Sequence, residues 1–144
     1  MKPYLLDINV LLALVWPSHV HHGLAQSWFA ERRAAGFATC PLTEIGFVRI
    51  SANPQFTRRA VLAGQALALL QRITAMPEHE FWADDLAVTA ALGGGEGIVG
   101  HRQITDGYLL ALAGRHGGVL ATFDRGTLSL ARPGEEAVEL VGAV

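Results

Sequence analysis

Four carboxylates stand where an apolar run ends or a helical pattern begins: Asp7, Glu44, Asp106 and Asp124. Asp7 closes Tyr4-Leu5-Leu6, and Asp124 closes the run from Val119 to Phe123. Asp106 opens the helical pattern that continues to Ala113, and Glu44 lies in the first turn of one running through Ile45, Val48 and Ala52. A carboxylate abutting a buried strand is costly unless positive charge compensates it. Acids packed together raise one another's pKa, and a hard divalent cation reverses that. Mg2+ or Mn2+ takes oxygen ligands and is held by one or two carboxylates plus substrate phosphate. Such an ion acidifies a water for attack on phosphorus, so the expected chemistry is in-line hydrolysis of a phosphodiester. Singly, plainer roles exist: Asp106 as a helix cap, Glu44 as a charge at a helix N-terminus, Asp124 as a turn residue before Arg125-Gly126. Asp7 resists such a role, because it interrupts an apolar stretch from Tyr4 to Trp16.

The elements that must gather these acids alternate along the chain. Residues 3 to 7 read as a buried strand, followed by a helix from about Asn9 to Trp16 that Pro17 stops. Ser18 or a neighbour caps a second helix, with Val20, Leu24 and Trp28 as its core stripe. Phe37 to Cys40 is a short strand, and Pro41-Leu42-Thr43 leads into the Glu44 helix, which Asn53-Pro54 ends. Residues 58 to 73 form an amphipathic helix striped by Leu62, Ala66, Leu69 and Ile73. His79 to Trp82 is a third strand, and Asp84 or Asp85 caps the segment to Leu92. Gly93 to Gly97 is a flexible loop; without a following Lys-Ser/Thr it is no phosphate cradle. Val119 to Phe123 is another strand, and Val138 and Leu140 alternate with Glu139 as an edge strand. Strands separated by helices imply an α/β fold with a mostly parallel sheet and helices on both faces. Function then collects at the carboxyl ends of the strands, where all four acids fall.

At 144 residues the chain fits one domain, and a net charge of −2 argues against a purely electrostatic nucleic-acid coat. Hydrophobic residues make up 51 %, which leaves apolar surface for a homodimer face or a partner's helix. The basic residues are one Lys, at position 2, and ten Arg, a bias that serves phosphate recognition or merely the surface. Cys40 stands alone, which excludes an internal disulfide and suits a reducing compartment. No signal peptide is convincing and no apolar run is long enough to span a bilayer, so the expected location is the cytoplasm.

The motifs around the acids, LLDINVLLAL, LTEIGFVRI, ITDGYLLALA and LATFDRG, resemble those of PIN-domain ribonucleases, in their VapC-type toxin branch. Order, spacing and flanking residues agree from Tyr4 to about Leu140, and HEFWADD and GHRQITD resemble a variant recurring in that branch. The resemblance implies a three-layer α/β/α domain, Mg2+- or Mn2+-dependent endoribonuclease activity as a toxin, and a cognate VapB-type antitoxin. It makes Asp7 and Asp106 the principal metal ligands, with Asp124 and Glu44 completing the cluster directly or through water. Asn9 and Thr122 would orient these groups, or be ordinary turn and strand residues. Arg49 is set about 140° around the helix from Glu44 and would flank the site. Arg102 and Arg125 are the other candidates for phosphate contact.

Other residues carry less. His19, His21 and His22 split between helix faces without a completing ligand, which suits a solvated helix start. His101 and His116 lie a turn or more from Asp106. A phosphatase of the haloacid-dehalogenase kind needs an Asp two residues after the nucleophile and a downstream Lys; here Asn9 takes that position and Lys2 precedes Asp7. A binding module whose acids only cap helices is the remaining alternative.

Overall fold

The computed structural model describes residues 1–56, 61–132 and 135–142. Five short strands, β1 (Tyr4–Leu6), β2 (Phe37–Thr39), β3 (His79–Phe81), β4 (Val119–Thr122) and β5 (Val138–Leu140), form one sheet in the order β3-β2-β1-β4-β5. Every pairing is parallel, with Tyr4 opposite both Phe37 and Val119. Strand period two sends Leu6 and Phe37 to one face and Leu5, Ala38 and Leu120 to the other, and each face is covered. On the first lie α1 (Ile8–Val15), α2 (His22–Arg32), α3 (Pro41–Ser51) and α4 (Ala63–Thr74), through Val10, Leu11, Trp28, Phe47 and Leu70. The second is covered by α6 (Gln103–Arg115), through Leu109 and Leu112, with the short α5 (Val88–Leu92) against α6. The fold is therefore the expected three-layer α/β/α arrangement, with a wholly parallel sheet.

Burial on both faces explains the nearly continuous apolar strands. The strand order puts β1 at the centre, so that Asp7, directly after it, meets the ends of its neighbours. The Asp7 N–H still follows the sheet and donates to the Ala121 carbonyl at 3.0 Å.

Several expectations about elements need correction. In α2 the buried residues are Ala25, Trp28 and Phe29, whereas Val20 and Leu24 are exposed: the helix starts at His22, after a turn, so the fourfold stripe from Val20 is not one helix face. The helix expected from residue 58 is described from Ala63, with Leu62 exposed and the buried stripe passing through Ala66, Leu70 and Ile73; residues 57–60 lie outside the described residues. Asp84 and Asp85 do not cap α5. Asp84 accepts from the Leu42 N–H at 3.0 Å and Asp85 pairs with Arg115 at 3.3 Å. Glu139 is no idle edge residue, because it takes hydrogen bonds from Trp28 Nε1 and Arg32 Nε and so ties β5 to α2. No helix of the described residues is long and apolar enough to cross a membrane.

Candidate active site

The site forms where β1 and β4 end side by side. Asp7 caps α1: its Oδ1 accepts from the Ile8 N–H at 2.7 Å, and its Oδ2 accepts from Thr122 Oγ1 at 2.7 Å. Only 5 % of Asp7 is exposed. Burial raises its pKa above the ordinary carboxylate value, its two hydrogen bonds oppose that, and Asp124 adds to it.

Thr122, fully buried, is the hub of this corner. Its single hydrogen goes to Asp7, and its oxygen accepts from Asn9 Nδ2 at 3.3 Å and from the Asp124 N–H at 3.1 Å. Asn9 Oδ1 in turn accepts from the Phe123 N–H at 3.3 Å. Asn9 thus ties α1, and Thr122 ties Asp7, to the end of β4. Asp124, exposed, caps a 3-10 turn over Arg125–Leu130 through the Gly126 N–H at 2.8 Å.

Asp106 reaches the same corner from the opposite layer. It lies in the first turn of α6 and does not open it, since the helix begins at Gln103. Burial, then the charges of Asp7 and Asp124, push its pKa up to about 6, while the Thr127 side chain pulls it down. Three acids from three elements therefore share one field. Thr127 is fully buried, and its hydroxyl stands by Asp106 without the geometry of a hydrogen bond to any partner among the described residues.

Glu44 takes a different bearing. It is half-buried in the first turn of α3, and its Oε2 accepts from Thr39 Oγ1 at 2.7 Å. Arg49, Arg102 and Arg125 are exposed, and no ion pair among the described residues involves them.

Among the described residues no three His, Cys, Asp or Glu side chains are already spaced as a metal cage. The donor set nonetheless fits a hard divalent cation. It is all oxygen, its acids are held near one another against their own repulsion, and Thr127 presents an orphaned buried hydroxyl beside Asp106. A cavity of about 650 Å³ lies elsewhere, lined by Tyr4, Arg32, Val119 and Glu139 at the opposite edge of the sheet. None of the four acids lines that cavity.

Sequence reasoning missed Thr39, Thr127 and the histidine turn. His22 Nδ1 bonds the Ala13 carbonyl at 2.7 Å, and His21 stacks on Phe123 with ring centroids 4.8 Å apart. That turn is therefore packed against the residue preceding Asp124, not merely solvated. No local signal announces such contacts, because the partners are brought together only by the sheet order.

The PIN domain family model matches residues 4–133. Ribonuclease VapC39 of Mycobacterium tuberculosis is 46 % identical over 121 residues, covering 83 % of this chain and 87 % of that protein. Ribonuclease VapC38 of the same organism is 45 % identical over 131 residues, 89 % of each chain. Ribonuclease VapC29, also from that organism, is 42 % identical over 126 residues, covering 88 % of this chain and 89 % of that protein. A match of this extent, on a parallel sheet with its acids at the strand ends, makes the chain a member of the PIN-domain family, in its VapC-type branch.

Proposed function

We propose that this protein is an endoribonuclease, the toxin of a toxin–antitoxin pair, which hydrolyses RNA phosphodiesters with Mg2+ or Mn2+ and thereby inhibits translation or growth. The observation that carries the reading is the convergence of Asp7, Asp106 and Asp124, where burial and then the charges of the other two acids raise the Asp106 pKa to about 6. Relatives named as ribonucleases support the reaction class. Their VapC names support a VapB-type antitoxin as partner, and a homodimer in the cytoplasm completes the proposal, with the chain acting as one domain.

Asp7, Asp106 and Asp124 would hold the cation, and Glu44 would complete the acidic site. When bound, such an ion lowers the pKa of water and offsets charge on phosphoryl oxygens. The chain's own residues do the rest. Thr122 and Asn9 fix the rotamer of Asp7 and the turn to Asp124, so that little reorganisation is needed as RNA arrives. Glu44, in the first turn of α3, would take up the proton released from the attacking water. The exposed Arg49, Arg102 and Arg125 supply donors for the RNA backbone.

The experiment is cleavage of total RNA by the purified chain, with end mapping to find the target. Asp7→Asn and Asp106→Asn should abolish cleavage, EDTA should stop it, and Mn2+ should restore it. Near wild-type cleavage by either variant in Mg2+ overturns the proposal. A binding module would show neither cleavage nor the rise in melting temperature that Mn2+ binding to the folded state produces.

A further inference from the structure

The segment HEFWADD, residues 79–85, gives no side chain to the three-aspartate corner, yet it grips the joint that carries Glu44 from two sides. From the edge strand β3, the His79 ring crosses to β2, where its Nε2 lies 2.8 Å from Thr39 Oγ1. Thr39 is fully buried, and the same hydroxyl donates to Glu44 Oε2 at 2.7 Å. Just beyond β3, the Trp82 N–H donates to the Thr39 carbonyl at 2.9 Å. Asp84 then accepts from the Leu42 N–H at 3.0 Å, taking up one of the free donors at the start of α3.

Counting hydrogens fixes the direction of this relay. A threonine hydroxyl has one hydrogen and accepts with its lone pairs. Thr39 gives that hydrogen to Glu44 Oε2, so His79 must donate from Nε2 to the Thr39 oxygen. Burial holds the pKa of His79 below its ordinary value, against the opposing pull of Glu44, the Thr74 carbonyl and Glu80. Either the Nε2–H tautomer or the imidazolium satisfies the contact with Thr39, and only the imidazolium could also donate to the Thr74 carbonyl.

We infer that HEFWADD is a clamp that aims the Glu44 carboxylate, His79 acting through Thr39 and Asp84 through the Leu42 amide. The inference rests on the nuclease reading, because a clamp matters only if Glu44 takes part in hydrolysis. A glutamate on a half-exposed first turn has several rotamers open to it, and holding one removes that entropy before substrate arrives. His79, Thr39 and Asp84 are positioning residues in this scheme and touch no reacting atom.

The test compares steady-state cleavage of a fluorescent single-stranded RNA in Mg2+ by the full chain and by Thr39→Val, Thr39→Ser, His79→Ala, Glu44→Ala and Asp7→Asn. Nitrogen-15 NMR of the His79 ring accompanies it. Thr39→Val and His79→Ala should each lower kcat about tenfold with KM nearly unchanged, the size expected of a misaimed group, and Thr39→Ser should recover the rate. His79 Nε2 should carry a proton in the wild type, and its resonance should shift in Glu44→Ala. His79 lies on an edge strand and is only half-buried, so its variant remains informative if Thr39→Val folds poorly. Wild-type kcat in both Thr39→Val and His79→Ala, with Glu44→Ala and Asp7→Asn inactive, would overturn the clamp and leave the nuclease standing. An unprotonated Nε2 would overturn it as well. Full activity in Asp7→Asn would remove the nuclease reading, and the clamp with it.

Discussion

Thr122 Oγ1 donates to Asp7 Oδ2 at 2.7 Å, joining the end of β4 to the end of β1 across 115 positions of sequence. The same oxygen accepts from Asn9 and from the Asp124 N–H, so one buried hydroxyl orders most of the corner. Thr122→Val preserves shape but strips a buried carboxylate of a donor, at a cost of about 1–3 kcal/mol. Urea denaturation should show that loss, RNA cleavage should fall at least tenfold, and Thr122→Ser should retain both. Unaltered stability and rate in the valine variant would refute the hub.

Asp106 gives the clearest pH dependence. An acid whose pKa is higher folded than unfolded binds its proton more tightly in the folded state. Its stabilising effect is therefore complete below the unfolded value and is lost as pH rises to the folded one. A rise from 3.8 to about 6 sets the pH window of that loss. The metal-free protein should melt at falling temperature from pH 4 to pH 6, and Asp7, shifted in the same direction, should add to the slope. Asp106→Asn should be more stable than wild type at pH 7 without metal and show a flatter profile, yet be inactive. Parallel melting curves for the two proteins would contradict the shared field.

The acids and the layers were legible in the sequence because each has a local signature. Asp7 and Asp124 end apolar runs, Glu44 sits in a first helical turn, and apolar strands between helices imply a parallel sheet. The errors share one physical cause, that side-chain partners are chosen by tertiary contact. Asp84 looks like a cap for the helix that follows it but caps α3, 42 positions earlier, because β3 lies beside β2. Val20 and Leu24 match a helical period, but the true helix starts after them, and its buried face is Ala25, Trp28 and Phe29. Thr39 and Thr127 are single polar residues near apolar ones, and only the tertiary fold decides what each hydroxyl faces.

Gly46 is required by the close approach of α1 and α3. A Cβ there would collide with the Ile8 side chain, meeting Cγ1 at 2.8 Å, so either Ile8 must leave its rotamer or the helices capped by Asp7 and carrying Glu44 must move apart. Gly46→Ala should destabilise by about 1–3 kcal/mol despite its better helix propensity, as overpacked core sites do. It should also slow RNA cleavage by moving Glu44 relative to Asp7. Ile8→Val in the same chain relieves the crowding and should return part of both losses. A stabilised, fully active Gly46→Ala would show that the contact imposes nothing.

Thr127 separates a structural role from a metal-supporting one. Its buried hydroxyl has no partner among the described residues, so replacing it with an isosteric methyl should remove an uncompensated polar group. Thr127→Val should therefore melt at the same or a higher temperature than wild type without metal. If the hydroxyl serves the cation site beside Asp106, the same variant should bind Mn2+ several-fold more weakly in calorimetry, as loss of an outer partner does. Thr127→Ser should bind like wild type. A hydroxyl that only packs would leave Mn2+ affinity unchanged, and one bonded directly to Asp106 would make the valine variant less stable in the metal-free state. Weaker metal binding together with undiminished metal-free stability is the signature expected here.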